Sequence, residues 1–235
     1  MIEEPTLNEQ VEQAVLWTAY ESALRLKNRF VPRDPQYVED LCQACLDCRS
    51  TLPPGTVLYR ARINPPGDEQ VALPISKMRQ PPPEKALDGR INPVGVPCLY
   101  AALDPDTAVA EVRPWTLALL TVATFTTPRS IDVVDLRRAS GGQRRPAAYW
   151  AAHMIQRPVH EKDPLAYIGT QFLAERLKAA GAGGLLYDSA LGPHDKTTGT
   201  PGTNVALFNS DDLQDGKTVL WMVLDVKYTA VPRPD

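Results

Sequence analysis

Histidine, cysteine and phenylalanine are scarce in this chain of 235 residues, which holds 3, 4 and 4 of them. Several familiar catalytic patterns are missing as well. No H-E-x-x-H occurs, which excludes a zincin, and neither G-x-S-x-G nor a Walker loop occurs, which removes the commonest hydrolase and P-loop readings. His153, His160 and His194 are scattered. Three of the cysteines, Cys42, Cys45 and Cys48, crowd one segment, with Cys98 apart. In a chain of this length that is no disulfide framework, and a reducing cytoplasm is the expected location. The C-x-x-C-x-x-C run does invite a metal reading. On a helix, however, residues three apart drift around the cylinder, and no histidine or fourth cysteine lies nearby to complete a tetrahedral set. No metal site is expected.

Long apolar runs are also absent. Nothing approaches the roughly 20 residues needed to span a bilayer, and the acidic start MIEEPTLNEQ does not read as a signal peptide. Net charge is small, −3 at pH 7. That excludes a broad nucleic-acid surface, which needs clustered Lys and Arg to displace counterions, though it leaves room for a local basic pocket. Hydrophobic residues make up 43% and charged residues 23%, so a packed core is expected. The length suits one large domain, or one domain with an appendage.

Proline, by contrast, is plentiful, at 23. It gathers at Pro53-Pro54, Pro65-Pro66, Pro81 to Pro83, and Pro232 with Pro234, which predicts short elements joined by stiff loops. Apolar spacing close to 3.6 predicts helices over 7–30 and 36–49, with a break at Arg33 to Pro35. Residues 1–52 are therefore read as a helical N-terminal extension, and 53–235 as the main domain. From Thr56 the texture turns to β. Strands are expected at 56–61, 97–102, 115–125, 130–136, 184–187, 205–208 and 219–228. Helices are expected at 105–113 with Asp104 as N-cap, at 147–157, and at 167–180 stopped by Gly181. The Pro-rich loop 64–88 is long enough to suggest a functional role. With Lys77, Arg79 and Lys85 it reads either as a cationic lid or as an ordinary solvated loop.

The most informative stretch is GRINPVGVPCLYAALDPDTAVAEVR, Gly89 to Arg113. A turn-forming segment with Arg90 and Asn92 leads into a strand ending at Tyr100. A helix then places Glu111 among small apolar residues, and burying an ionised carboxylate is costly unless it is paired or used. Arg60 lies in the strand LYRARI, as an edge-strand ion-pair partner or as a phosphate clamp with a rigid bidentate fork. Ser189 follows GLLYDS, as a turn former or a donor to a ligand. Asn204, before VALF, is open in the same way.

Four blocks carry a family resemblance: LYRAR (58–62), GRINPVGVPCLYAALDPDTAVAEVRP (89–114), YIGTQFLAERLKAAGAGGLLYDS (167–189) and GTNVALF (202–208). With Arg60, Glu111 and Ser189 in that order, the chain resembles RES-domain proteins over about residues 55–230. One departure stands out: the family's Tyr-Pro-Ser reads Tyr187-Asp188-Ser189 here, which adds a carboxylate near the site.

The resemblance implies an α+β, mixed α/β domain, similar to ADP-ribosyltransferases, with a compact split β core flanked by helices and an NAD+ cleft. It implies an NAD+ phosphorylase or NAD+ glycohydrolase that cleaves the nicotinamide–ribose bond, the toxin of a bacterial toxin–antitoxin pair whose Xre-like antitoxin covers the site. NAD+ is then the substrate, inorganic phosphate a co-substrate if the reaction is phosphorolysis, and no further cofactor is needed. A mono-ADP-ribosyltransferase acting on a protein is the alternative, and a binding module without chemistry the third reading. Glu111 is the implied catalytic carboxylate, steadying an oxocarbenium-like centre. Arg60 holds pyrophosphate or phosphate, Tyr100 orients the ribose or stacks on the ring, and Ser189 bonds the nicotinamide half. Arg90 and Asn204 complete the binding set. A homo-oligomer stays open, and neither nucleic acid nor membrane is an expected partner.

Overall fold

The computed structural model describes residues 5–31, 34–67, 70–137, 145–157, 163, 165–194 and 197–227. Predicted features at Arg33, His160, Tyr228, Pro232 and Pro234 lie outside them.

Local chemistry starts the helices. Helix α1 (Leu7–Leu26) opens on a capping box, in which the Thr6 hydroxyl accepts from the Glu9 amide while the Glu9 carboxylate accepts from the Thr6 amide. Helices α2 (Pro35–Leu46) and α4 (Pro105–Glu111) share one device, an aspartate N-cap followed by proline. Asp34 accepts from the Tyr37 amide and Asp104 from the Thr107 amide, and proline's missing N–H costs nothing in the first turn. Between them lies the four-residue α3 (Ile75–Met78); α5 (Pro146–Gln156) and α6 (Ile168–Ala179) follow. After α6 the chain reverses at Gly181, whose φ of +90° suits glycine.

Among the described residues, eight strands form one mixed sheet: β1 (Arg49–Leu52), β2 (Val57–Ile63), β3 (Leu99–Ala102), β4 (Leu119–Thr126), β5 (Ile131–Asp135), β6 (Gly184–Asp188), β7 (Thr203–Leu207) and β8 (Gln214–Met222). Their order is β1-β5-β6-β7-β3-β2-β4-β8. Only β5 and β6 run parallel. The expected mixed α/β domain with a split core takes a definite form here. Strand β2 pairs with β4 over seven residues, yet meets β3 at the single pair Tyr59↔Ala102. The two halves of the sheet diverge at that seam and leave room for a cleft.

Three expectations are corrected. The helix expected over 36–49 stops at Leu46, and Arg49–Leu52 becomes β1, an edge strand antiparallel to β5. Helices α1 and α2 of residues 1–52 pack on the main domain: Trp17, Tyr20, Leu24, Leu41 and Cys45 share one buried cluster with Ile155, Leu173 and Leu177 of α5 and α6. Cys42 and Cys45 are core residues of that cluster. The last strand begins five residues before the predicted Val219, because Gln214 already pairs with Thr126 of β4. Loop 64–88 is anchored, not a lid, since Leu73, Met78 and Ala86 are buried. Arg79 donates to the Leu213 carbonyl at 2.8 Å and pairs with Asp215 at 2.7 Å, tying the loop to β8.

Candidate active site

The cleft at the β2–β3 seam has a volume of about 520 Å³, within the range of small-molecule sites. Its walls come from β2 (Tyr59 to Arg62), β3 (Tyr100, Ala101), the end of α4, the ends of β6 and β7, and Tyr167 before α6. Of the sequence candidates, Arg60, Arg90, Tyr100, Glu111 and Asn204 line it. Lys77, Arg79 and Lys85 do not. Four arginines (60, 62, 90 and 113) face two carboxylates (Glu111 and Asp188), so the cleft is locally cationic in a chain of net charge −3. Such a lining favours a substrate with more than one negative charge.

Glu111 ends α4 and is exposed at the mouth of the cleft, not buried as its apolar neighbours suggested. A carboxylate there meets the negative end of the helix's backbone dipoles. Two strong donors offset this. The Ser189 hydroxyl and the Asn204 amide both donate to Glu111 Oε1, each at 2.6 Å. Among the described residues no hydrogen bond reaches Oε2, so the carboxylate is anchored through one oxygen and presents the other.

Ser189 is buried and does not line the cleft. Its single proton goes to Glu111, and its oxygen accepts from the Gly192 amide at 2.7 Å and the Leu191 amide at 3.1 Å. A hydroxyl has one donor and two acceptor sites, so nothing remains for a ligand. Its geometry is that of a carboxylate positioner, unlike the direct contact to nicotinamide expected above. The loop holding it is drawn tight against α4: a Cβ at Gly202 would lie 1.9 Å from Thr107 Oγ1, so only glycine fits.

Arg60 bridges the seam. Its Nη1 donates to the Tyr100 carbonyl at 3.1 Å, a side-chain link where backbone pairing is thin. Its Nε has no hydrogen-bond partner among the described residues. Burial, and then the like charge of Arg62, pushes the guanidinium down to about 10, which still leaves it cationic at neutral pH. Placed in the cleft with a donor to spare, it has the character of an anion clamp.

Tyr100 offers the cleft its ring, because its hydroxyl is committed elsewhere. The phenol donates to Asn92 Oδ1 at 2.7 Å and accepts from the Ile91 amide at 2.9 Å. Burial raises its pKa well above the ordinary tyrosine value, so it stays protonated. Asn92 is buried and shapes the turn, donating to the carbonyls of Leu87, Pro93 and Val96. Gly89 admits this arrangement, since a Cβ there would fall 2.5 Å from Asn92 Oδ1. Arg90 lies across the Tyr167 ring at 5.3 Å, donates to the Arg157 carbonyl at 2.7 Å and also bonds the Ile155 carbonyl. It is a braced cation.

Sequence reasoning missed Arg62, Arg113, Tyr167 and Tyr187 as lining residues. Arg62 was within reach, as it shares a strand face with Arg60 two residues away. Burial raises the pKa of the Tyr187 phenol, and the negative charge of Glu111 adds to the effect.

The family model described as RES domain matches residues 57–226. No curated protein matches the chain in sequence. Among solved structures, the crystal structure of the M. tuberculosis MbcT–MbcA toxin–antitoxin complex contains a chain 18% identical to this one. The alignment covers 79% of this chain and 93% of that one, at a TM-score of 0.44.

Proposed function

The chain belongs to the RES-domain family, and from that premise we propose that it degrades NAD+ by breaking the bond between nicotinamide and ribose. The single observation that carries the reading is the tethered carboxylate of Glu111, held through Oε1 and open at Oε2 in a cleft rich in arginine. In the reaction the C1′–N bond breaks and its electron pair leaves with nicotinamide, which departs neutral. No general acid is needed at that nitrogen. Positive charge grows on the ribose, and Glu111 Oε2 is set to steady it while hydrogen-bonding a ribose hydroxyl. Arg60 grips the pyrophosphate with its spare donors, Arg90 supplies a second cation, and the rings of Tyr100 and Tyr167 flank the ligand. An oxygen of inorganic phosphate, or of water, then bonds to C1′; water gives up a proton in doing so. Family membership supports the further reading of a toxin held silent by an antitoxin protein, in the cytoplasm where NAD+ is plentiful.

Product analysis tests the reaction. Purified protein with NAD+ is expected to release nicotinamide, and phosphorolysis predicts a phosphorylated ADP-ribose only when phosphate is present. Nicotinamide release that requires an added protein, with label on that protein, would point to ADP-ribosyl transfer. No nicotinamide under any condition would end the proposal.

Ser189→Ala gives a finer test. It removes one of the two donors to Glu111 and leaves the cleft lining intact. About a tenfold loss in kcat with little change in KM is expected, the size of one charged hydrogen bond. A raised KM at unchanged kcat would mean that Ser189 meets the substrate directly.

A further inference from the structure

The N-terminal helices lie outside the family match, which begins at residue 57, yet α1 packs on Gly169, two residues beyond the cleft-lining Tyr167. Tyr20 donates its hydroxyl to the Gly169 carbonyl at 2.8 Å, in a buried bond. A Cβ at Gly169 would lie 3.1 Å from Trp17 Cζ2 and 3.4 Å from Tyr20 Cε1, so both rings rest directly on that backbone. They also stack edge to face at 5.2 Å, which fixes their angles.

Gly169 sits in the first turn of α6, and that turn holds the cleft's arginine loop. The Thr170 hydroxyl donates to the Arg90 carbonyl at 2.6 Å. Gln171 Nε2 donates to Asp88 Oδ1 at 2.7 Å and to the Gly89 carbonyl at 2.8 Å. Tyr167, one residue before the helix, carries the ring beneath the Arg90 guanidinium. A continuous path of packed rings and hydrogen bonds thus runs from Trp17 and Tyr20 to the placement of Arg90. The hydrogen bonds that hold Glu111 come from Ser189 and Asn204 and lie off this path.

We infer that α1 is a positioning element of the cleft: Trp17 and Tyr20 seat the first turn of α6 and thereby set Arg90 and Tyr167 for the ligand, without acting on Glu111. The inference rests on reading the cleft as a dinucleotide site, and it predicts a split. Disturbing α1 weakens ligand binding and leaves the chemical step alone. A helix that only adds stability would lower the melting temperature and the active fraction, and move neither KM nor the ligand Kd.

The test uses the full chain with Tyr20→Phe, which deletes one hydroxyl, and Gly169→Ala, which presses on Trp17. Three readouts are taken: ADP-ribose affinity by calorimetry, kcat and KM for NAD+, and hydrogen exchange by mass spectrometry. ADP-ribose Kd and NAD+ KM are expected to rise roughly three- to tenfold in Tyr20→Phe, the effect of one buried hydrogen bond, with kcat within twofold. Exchange is expected to quicken over residues 86–92 and 167–171 and to stay unchanged over 203–207. The exchange readout needs no substrate. If the wild type neither binds ADP-ribose nor consumes NAD+, the functional reading fails, and the coupling of α1 to the arginine loop is still decided by exchange. Unchanged exchange over 86–92 in both variants, or a fall in kcat at constant KM, would overturn the inference.

Discussion

Glu111→Gln is expected to slow nicotinamide release by roughly 10²–10³-fold, the usual consequence of losing one electrostatic catalytic group. The substitution is unusually clean here. The hydroxyl of Ser189 and the amide of Asn204 both donate to Oε1, and a glutamine oxygen accepts the same two bonds. Shape and tether survive, and only the charge is lost. Because Glu111 is exposed at a helix end, folding stability should change little, within the range typical of surface substitutions. Steady-state kinetics would show the loss in kcat and kcat/KM together, with ADP-ribose binding retained, as expected for an interaction made mainly in the transition state. Wild-type turnover by the glutamine variant would remove Glu111 from the mechanism.

Arg60→Lys carries the second large effect, on binding. Lysine keeps a positive charge but loses the fork. The guanidinium reaches the Tyr100 carbonyl with Nη1 at 3.1 Å and still holds Nε without a partner. A single ammonium must choose between bridging the seam and meeting the pyrophosphate. A fall of about 10–10²-fold in kcat/KM is expected, carried by KM, in line with one charged hydrogen bond lost. Titration with ADP-ribose checks it independently of turnover. Affinity unchanged within twofold would return Arg60 to a purely structural link across the sheet. The two variants also separate the roles, since Glu111→Gln should spare ligand affinity and Arg60→Lys should not.

Much of the local structure was legible in the chain itself. The Asp104-Pro105 start of α4 follows from the physics of capping, and the bond from the Thr107 amide to Asp104 bears it out. Gly181 marks the end of α6 by its positive φ. The order Arg60, Tyr100, Glu111, Ser189, Asn204 picked out residues that the fold gathers around one seam. Misreadings came where tertiary pairing overrode local pattern. Residues 49–52 come only two residues after a helix, yet they pair with β5 as its antiparallel edge partner. Arg79 reads as part of a cationic lid or a solvated loop, yet Asp215, distant in sequence, ties it to the start of β8.

Chain chemistry alone therefore determined where elements start and stop and which polar residues were worth following, because caps, turns and periodicity act between residues about four apart or fewer. The fold decided what those residues do. Glu111 meets Ser189 across 78 positions and Asn204 across 93, and Tyr20 meets Gly169 across 149. Contacts that span such lengths exist only after the sheet has assembled and the helices have packed, so only the assembled molecule could turn Ser189 from a ligand donor into the anchor of a carboxylate.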